Sequence, residues 1–226
     1  MPHEMAESEE AVTLSPPGSA HATVIWLHGL GADGYDFVPI VPELRLPPTL
    51  ALRFVFPHAG VRPVTINGGY EMRAWYDIKA LTPAGRDDAV GLDESVARIG
   101  TLVAAERALG VPASRIMLAG FSQGGAVALH AALSAGEALA GVVALSTYLP
   151  RAAALLARQP AADRGLPVLM CHGSSDAVVD IAMGSAARDA LVAAGHPVEW
   201  HSYPMGHEVS ARELVDVARW LVARLG

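Results

Sequence analysis

Arg115-Ile-Met-Leu-Ala-Gly120-Phe-Ser122-Gln-Gly124-Gly-Ala126 decides the fold. Residues 115–119 form a compact apolar run that reads as a buried strand, and the small-residue run 122–135 reads as a helix. Between them, Gly120-Phe-Ser122-Gln-Gly124 spells G-x-S-x-G in the one context where that motif has mechanical meaning, a strand turning at once into a helix. So sharp a reversal brings backbone against backbone. Gly120 and Gly124 have no Cβ to obstruct it, while Ser122 is held in a strained conformation with its hydroxyl above the carboxyl edge of the sheet. The helix start beneath favours negative charge developing there. Read alone, the motif favours a catalytic Ser122 over a simple N-cap, and the rest of the chain has to decide.

A serine raised in this way needs a base, and the base needs an orienting acid. For this type of turn the expected chain order is Ser, then Asp or Glu, then His. Residues 167–171 read as a strand and lead into His172-Gly-Ser-Ser-Asp176-Ala-Val-Val179. Residues 198–203 read as the last strand and lead into Pro204-Met-Gly-His207, with a closing helix expected over 207–225. Asp176 and His207 therefore fall on the same sheet edge as Ser122. Other candidates fit less well. Asp180 suits a helix N-cap, Asp189 lies inside a helix, and Asp163 precedes a strand. His196 suits a surface turn, His201 lies within a strand, and His130 sits in the helix after the serine. The expectation is a nucleophile at Ser122, a general base at His207 and an orienting acid at Asp176.

The strand read over 23–28 ends in His28-Gly-Leu-Gly-Ala-Asp-Gly34. Gly29, Gly31 and Gly34 match the G-x-G-x-x-G of dinucleotide sites. That reading wants an acid at the end of the next strand, where Phe56-Pro57-His58 stands, and a helix that Pro39 and Pro42 interrupt. The loop is better suited to presenting a backbone N–H to a developing oxyanion, with Leu30 as one donor and Gln123, the residue after the serine, as the other. His28 is expected to shape the loop.

The rest of the chain fits one core. Strand-like runs at 52–56 and 141–145 alternate with helical patterns at 88–109, 152–158 and 182–194, which predicts a mostly parallel sheet covered by helices on both faces. Residues 35–44 suit a short or broken helix, and the Gly- and Pro-rich stretch 59–69 a long loop. Just over half the chain, 52%, is hydrophobic and only 17% charged, which argues against disorder. We expect an acidic, mobile segment over 1–11 and a single domain over 12–226 that opens with a short edge strand at 12–14. A net charge of −7 without a basic cluster excludes nucleic acid as a natural partner. The single cysteine, Cys171, fits a cytoplasmic location. The polar N-terminus has no secretory signal, Pro2 stands where myristoylation needs glycine, and no apolar run is long enough to span a bilayer, so no stable membrane anchor is expected. No cofactor and no metal are expected.

Five segments together resemble the phospholipase/carboxylesterase family of the α/β-hydrolase fold. They are Leu27-His-Gly-Leu-Gly-Ala-Asp-Gly34, Gly69-Tyr-Glu-Met-Arg-Ala-Trp-Tyr-Asp-Ile78, Gly120-Phe-Ser-Gln-Gly-Gly125, His172-Gly-Ser-Ser-Asp-Ala-Val-Val179 and Tyr203-Pro-Met-Gly-His-Glu-Val209. The resemblance implies the triad Ser122, Asp176 and His207 and the oxyanion donors Leu30 and Gln123. It also implies a place for Trp75 beside the acyl site as a wall of the substrate pocket, with an aromatic packing anchor as the alternative. Cys171 stands where the family often has cysteine and reads as a buried strand residue. The expected activity is a carboxylesterase acting on short- to medium-chain esters through an acyl-serine. The alternatives are an acyl-protein thioesterase or lysophospholipase for longer acyl chains and, in a different class, a hydrolase-like module that only binds. The resemblance admits a homodimer, with no interface legible in the sequence.

Overall fold

Apolar runs of five or six residues recur along the chain, and most become strands of one sheet. The computed structural model describes residues 3–80, 88–159 and 165–226. In chain order the strands are β1 (Glu4–Glu7), β2 (Ala11–Ser15), β3 (Ala22–Leu27), β4 (Leu52–Pro57), β5 (Val61–Val64), β6 (Tyr70–Arg73), β7 (Ile116–Phe121), β8 (Gly141–Leu145), β9 (Val168–Gly173) and β10 (Val198–Tyr203). The helices are α1 (Ile40–Glu43), α2 (Ala89–Ala108), α3 (Gln123–Leu133), α4 (Ala152–Arg158), α5 (Ile181–Ala193) and α6 (Ala211–Leu225). Eight strands pair in the order β1-β2-β4-β3-β7-β8-β9-β10. From β4 to β10 every pairing is parallel, and the two pairings at the β1 edge are antiparallel.

Alternation within the strands separates two cores. In β3, Ile25 and Leu27 face one layer while Val24 and Trp26 face the other. The first layer is filled by Leu92 and Ile99 of α2, the apolar residues of α3 from Ala126 to Leu133, and Leu191 of α5. The second is closed by Val41 of α1 and by Leu214, Val217, Trp220 and Leu221 of α6. The helical spacing of those α6 residues puts one apolar stripe on the sheet. With both faces covered, the central strands are largely apolar, as is usual for parallel strands. This is the α/β-hydrolase architecture.

Three sequence expectations need correction. The N-terminal segment is not a free extension, because Glu4–Glu7 pairs antiparallel with β2, making β2 an interior strand. All four β1 side chains are exposed. An edge strand needs backbone hydrogen bonds rather than buried side chains, and carboxylates along it discourage pairing with other chains. The stretch 59–69 is not all loop either. β5 and β6 form a hairpin that turns at Gly68 and Gly69, both at positive φ. Pro63 obscured it, although proline is tolerated in so short an exposed ladder. The closing helix begins at Ala211, with Ser210 and Glu213 forming a reciprocal capping box, so His207 lies in a loop before the helix. Met1, Pro2 and Asp163 lie outside the described residues. Among those described, no helix is long and apolar enough to cross a membrane.

Candidate functional site

The strand-to-helix turn has the tightness its glycines suggest. Ser122 follows β7, precedes α3 and has φ 54° and ψ −121°, a backbone state that costs a non-glycine residue about 1–3 kcal/mol. A Cβ on Gly120 would stand 2.4 Å from the Gly124 carbonyl, and one on Gly124 would stand 2.4 Å from the His28 carbonyl oxygen. Both contacts are with backbone, which cannot step aside. The strained residue is held on both sides. The Ser122 N–H donates to the Leu145 carbonyl at 2.9 Å, and the Thr147 hydroxyl donates to the Ser122 carbonyl at 2.6 Å.

Asp176 and His207 reach this point from the loops after β9 and β10. The Ser122 hydroxyl lies 2.9 Å from His207 Nε2, and His207 Nδ1 lies 2.7 Å from Asp176 Oδ2. Since the carboxylate can only accept, Nδ1 carries the proton and Nε2 is free to accept from the serine. The other carboxylate oxygen, Oδ1, accepts the N–H groups of Val178 and Val179, each at 2.8 Å. These bonds leave Oδ2 directed at the imidazole. The Asp176 side chain is fully buried, whereas His207 is partly open and packs against Phe121 in a tilted ring contact, with centroids 4.7 Å apart. The three residues read from the sequence are thus joined in one hydrogen-bonded line.

The glycine loop and the 73–77 stretch lock onto the same turn. Gln123, the first residue of α3, has an N–H with no partner in the helix, and the Leu30 N–H meets no acceptor among the described residues. The Gln123 side chain is 2% exposed. It accepts from the Trp75 N–H at 2.8 Å and donates to the Tyr76 carbonyl at 2.7 Å. The Trp75 indole N–H donates to the His28 carbonyl at 2.9 Å, and the Ser95 hydroxyl donates to the Trp75 carbonyl. Trp75 is only 1% exposed. Its expected role as a pocket wall is therefore corrected to that of an anchor holding the glycine loop against the Ser122 turn. After Gly34 the chain makes turns until α1 begins at Ile40, so no helix N-terminus stands behind the glycines. That is the feature a dinucleotide site would need.

His28 shows how the loop is held from below. Its Nδ1–H donates to the Gly29 carbonyl at 2.7 Å, and its Nε2 accepts the Ala59 N–H at 2.9 Å. The ring must stay neutral to do both. Burial pushes its pKa down to about 4, from 6.5 in an open chain. The unfolded imidazole therefore protonates first as pH falls. The stability tied to a neutral His28 is intact above pH 6.5 and is lost progressively towards pH 4, about 3 kcal/mol in all. Urea midpoints taken from pH 7 to pH 4.5 should fall more steeply for the wild type than for His28→Gln. Parallel slopes would remove His28 from this role.

The remaining candidates take structural places. Asp180 caps α5, its side chain accepting the Ala182 N–H at 2.8 Å. His196 is not at the surface. It is 3% exposed and its Nε2 lies 2.9 Å from the Gln159 side-chain oxygen. His130 lies in α3 with Nε2 2.5 Å from the Pro150 carbonyl. Burial drives the Cys171 thiol far above its ordinary range, so it is no nucleophile. Among the described residues no group of three or more His, Cys, Asp or Glu could hold a metal ion.

The model of the Phospholipase/Carboxylesterase family matches residues 8–224. This chain belongs to the phospholipase/carboxylesterase family. Acyl-protein thioesterase 1 of Neurospora crassa is 38% identical to this family member over 222 residues, 94% of this chain and 91% of the relative. Among solved structures, that of Arabidopsis thaliana SOBER1 aligns with a TM-score of 0.86 at 31% identity, over 92% of this chain and all of that one. Zea mays acyl-protein thioesterase 2 aligns with a TM-score of 0.84 at 33% identity, over 95% of this chain and 98% of that one.

Proposed function

We propose that this chain hydrolyses acyl thioesters and carboxylic esters through a covalent acyl intermediate on Ser122. The observation that carries the reading is the unbroken line from the Ser122 hydroxyl through the His207 imidazole to the Asp176 carboxylate, with contacts of 2.9 and 2.7 Å. In the first half-reaction, Ser122 Oγ bonds to the acyl carbon as its proton passes to His207 Nε2. Asp176 holds the imidazolium by its Nδ1–H. The oxyanion lies against the N–H groups of Leu30 and Gln123, each worth on the order of 10²–10³ in turnover. Collapse of the tetrahedral intermediate expels the thiolate or alkoxide, which takes the proton from His207. In the second half-reaction water gives its proton to His207 and attacks the acyl-serine. The carboxylic acid leaves, and the proton returns to Ser122.

The substrate class rests on two supports. Relatives that match over nearly their whole length carry the name acyl-protein thioesterase. Apolar side chains also stand exposed on the loops that bear the site: Val178 beside Asp176, Tyr70 on the hairpin, and Leu30 partly open. The hairpin leans on the glycine loop, with the Gly31 N–H donating to the Arg73 carbonyl at 2.9 Å. Apolar groups exposed on these loops suit an extended acyl chain more than acetyl or butyryl groups. A series of p-nitrophenyl esters and acyl thioesters of increasing chain length tests this. We expect both classes to be cleaved, with kcat/KM rising towards chains of ten carbons or more. An optimum at short esters with no thioester cleavage would overturn the long-chain reading and favour the short- to medium-chain carboxylesterase expected from the sequence.

A further inference from the structure

We infer that His172 is a positioning residue for Asp176: its Nε2–H, donated to the Val179 carbonyl, locks the turn that aims the carboxylate at His207. His172 is in the last turn of pairing of β9, opposite Ser202 of β10, and is 1% exposed. Its Nε2 lies 2.8 Å from the Val179 carbonyl and 3.7 Å from Asp176 Oδ2. Val179 is therefore gripped at both ends, its N–H by Asp176 Oδ1 at 2.8 Å and its carbonyl by His172. A carbonyl only accepts, so the ring nitrogen facing it bears the proton. That leaves Nδ1 as a buried acceptor with no partner among the described residues. Such an orphan destabilises the fold, a cost that a leucine in the same space would not carry.

The ring has no freedom to find a better arrangement. It stacks on Trp200 with centroids 6.0 Å apart. α5 passes so close that a Cβ on Gly184 would stand 2.5 Å from His172 Nδ1. Asp176 Oδ2 thus lies between two imidazoles. His207 is bonded to it, and His172 holds its turn while presenting the positive end of an N–H dipole nearby.

The inference rests on the proposal that Asp176 orients the base. It is tested in the full chain with His172→Leu, His172→Gln and Gly184→Ala. A carboxylate loosened by about an ångström should lower kcat on the order of 10²-fold with KM little changed. It should also stabilise the His207 imidazolium less, so the acid limb of kcat/KM moves to lower pH in His172→Leu. The glutamine amide N–H can reach the same carbonyl, so His172→Gln should restore the limb. Gly184→Ala displaces the ring without removing it, and it should move the limb the same way as the leucine variant, giving the answer even if that variant does not fold. Equal losses in the leucine and glutamine variants with an unmoved limb would reduce His172 to packing and overturn the inference. Wild-type kinetics in Gly184→Ala and His172→Leu would do the same. Those results, alongside activity that still requires Ser122, leave the proposed function standing; activity that survives Ser122→Ala removes both.

Discussion

Ser122→Ala is expected to lower kcat on the order of 10⁶-fold while the protein stays folded. The variant removes one oxygen, whose hydrogen-bond contact is with His207. The backbone at residue 122 is fixed by its neighbours rather than by its side chain. The N–H is bonded to Leu145, the carbonyl to Thr147, and the turn is closed by the approach of Gly124 to His28. Stability should therefore change by no more than about 1 kcal/mol, the worth of one hydrogen bond. His207→Ala should cost a similar factor, and the double variant little more, because the two groups act in one proton transfer. Steady-state hydrolysis measured together with a thermal melt checks both halves. A folded Ser122→Ala retaining more than a few per cent of activity would remove Ser122 from the chemistry.

The second large effect is expected at Asp176→Asn, about 10⁴-fold in kcat near neutral pH. Local geometry fixes which way the amide would face. Two N–H groups, of Val178 and Val179, converge on Oδ1 at 2.8 Å, so the amide oxygen must take that side. The amide NH₂ then faces His207 Nδ1, 2.7 Å from the present carboxylate oxygen. Two donors cannot share that contact. The imidazole must move its proton to Nε2, where it faces the serine hydroxyl as a donor and can no longer take its proton. Shape and packing are preserved, so the loss is chemical rather than structural. A drop of less than tenfold in a folded protein would mean that the carboxylate does not set the tautomer.

Much of this arrangement is legible in the sequence because it depends on local rules. Gly120 and Gly124 flank a serine between a strand and a helix, and backbone crowding at that turn follows from the spacing alone. Asp176 and His207 each follow a strand of a parallel sheet, and the carboxyl ends of such strands share one edge. What was not legible depends on partners remote in sequence. Trp75 is buried by Gln123 and His28, each nearly fifty residues away, and no periodicity in the 69–78 stretch announces it. His196 stands before a proline like a surface turn residue, yet it is taken up by Gln159. His172 was legible only as the first residue of the loop after a strand, since its meaning lies in the Val179 carbonyl and in the space Gly184 leaves open. The edge strand β1 escaped notice for another reason. Its residues bury nothing, so no hydrophobic pattern marks it.

The most direct measurement is covalent labelling of the folded wild-type chain with a fluorophosphonate, followed by mass spectrometry of its peptides. One phosphonyl group should appear on Ser122, and Ser122→Ala should take up none. A folded chain that resists the reagent, or carries it on another residue, would contradict the account and leave a hydrolase-like scaffold that only binds.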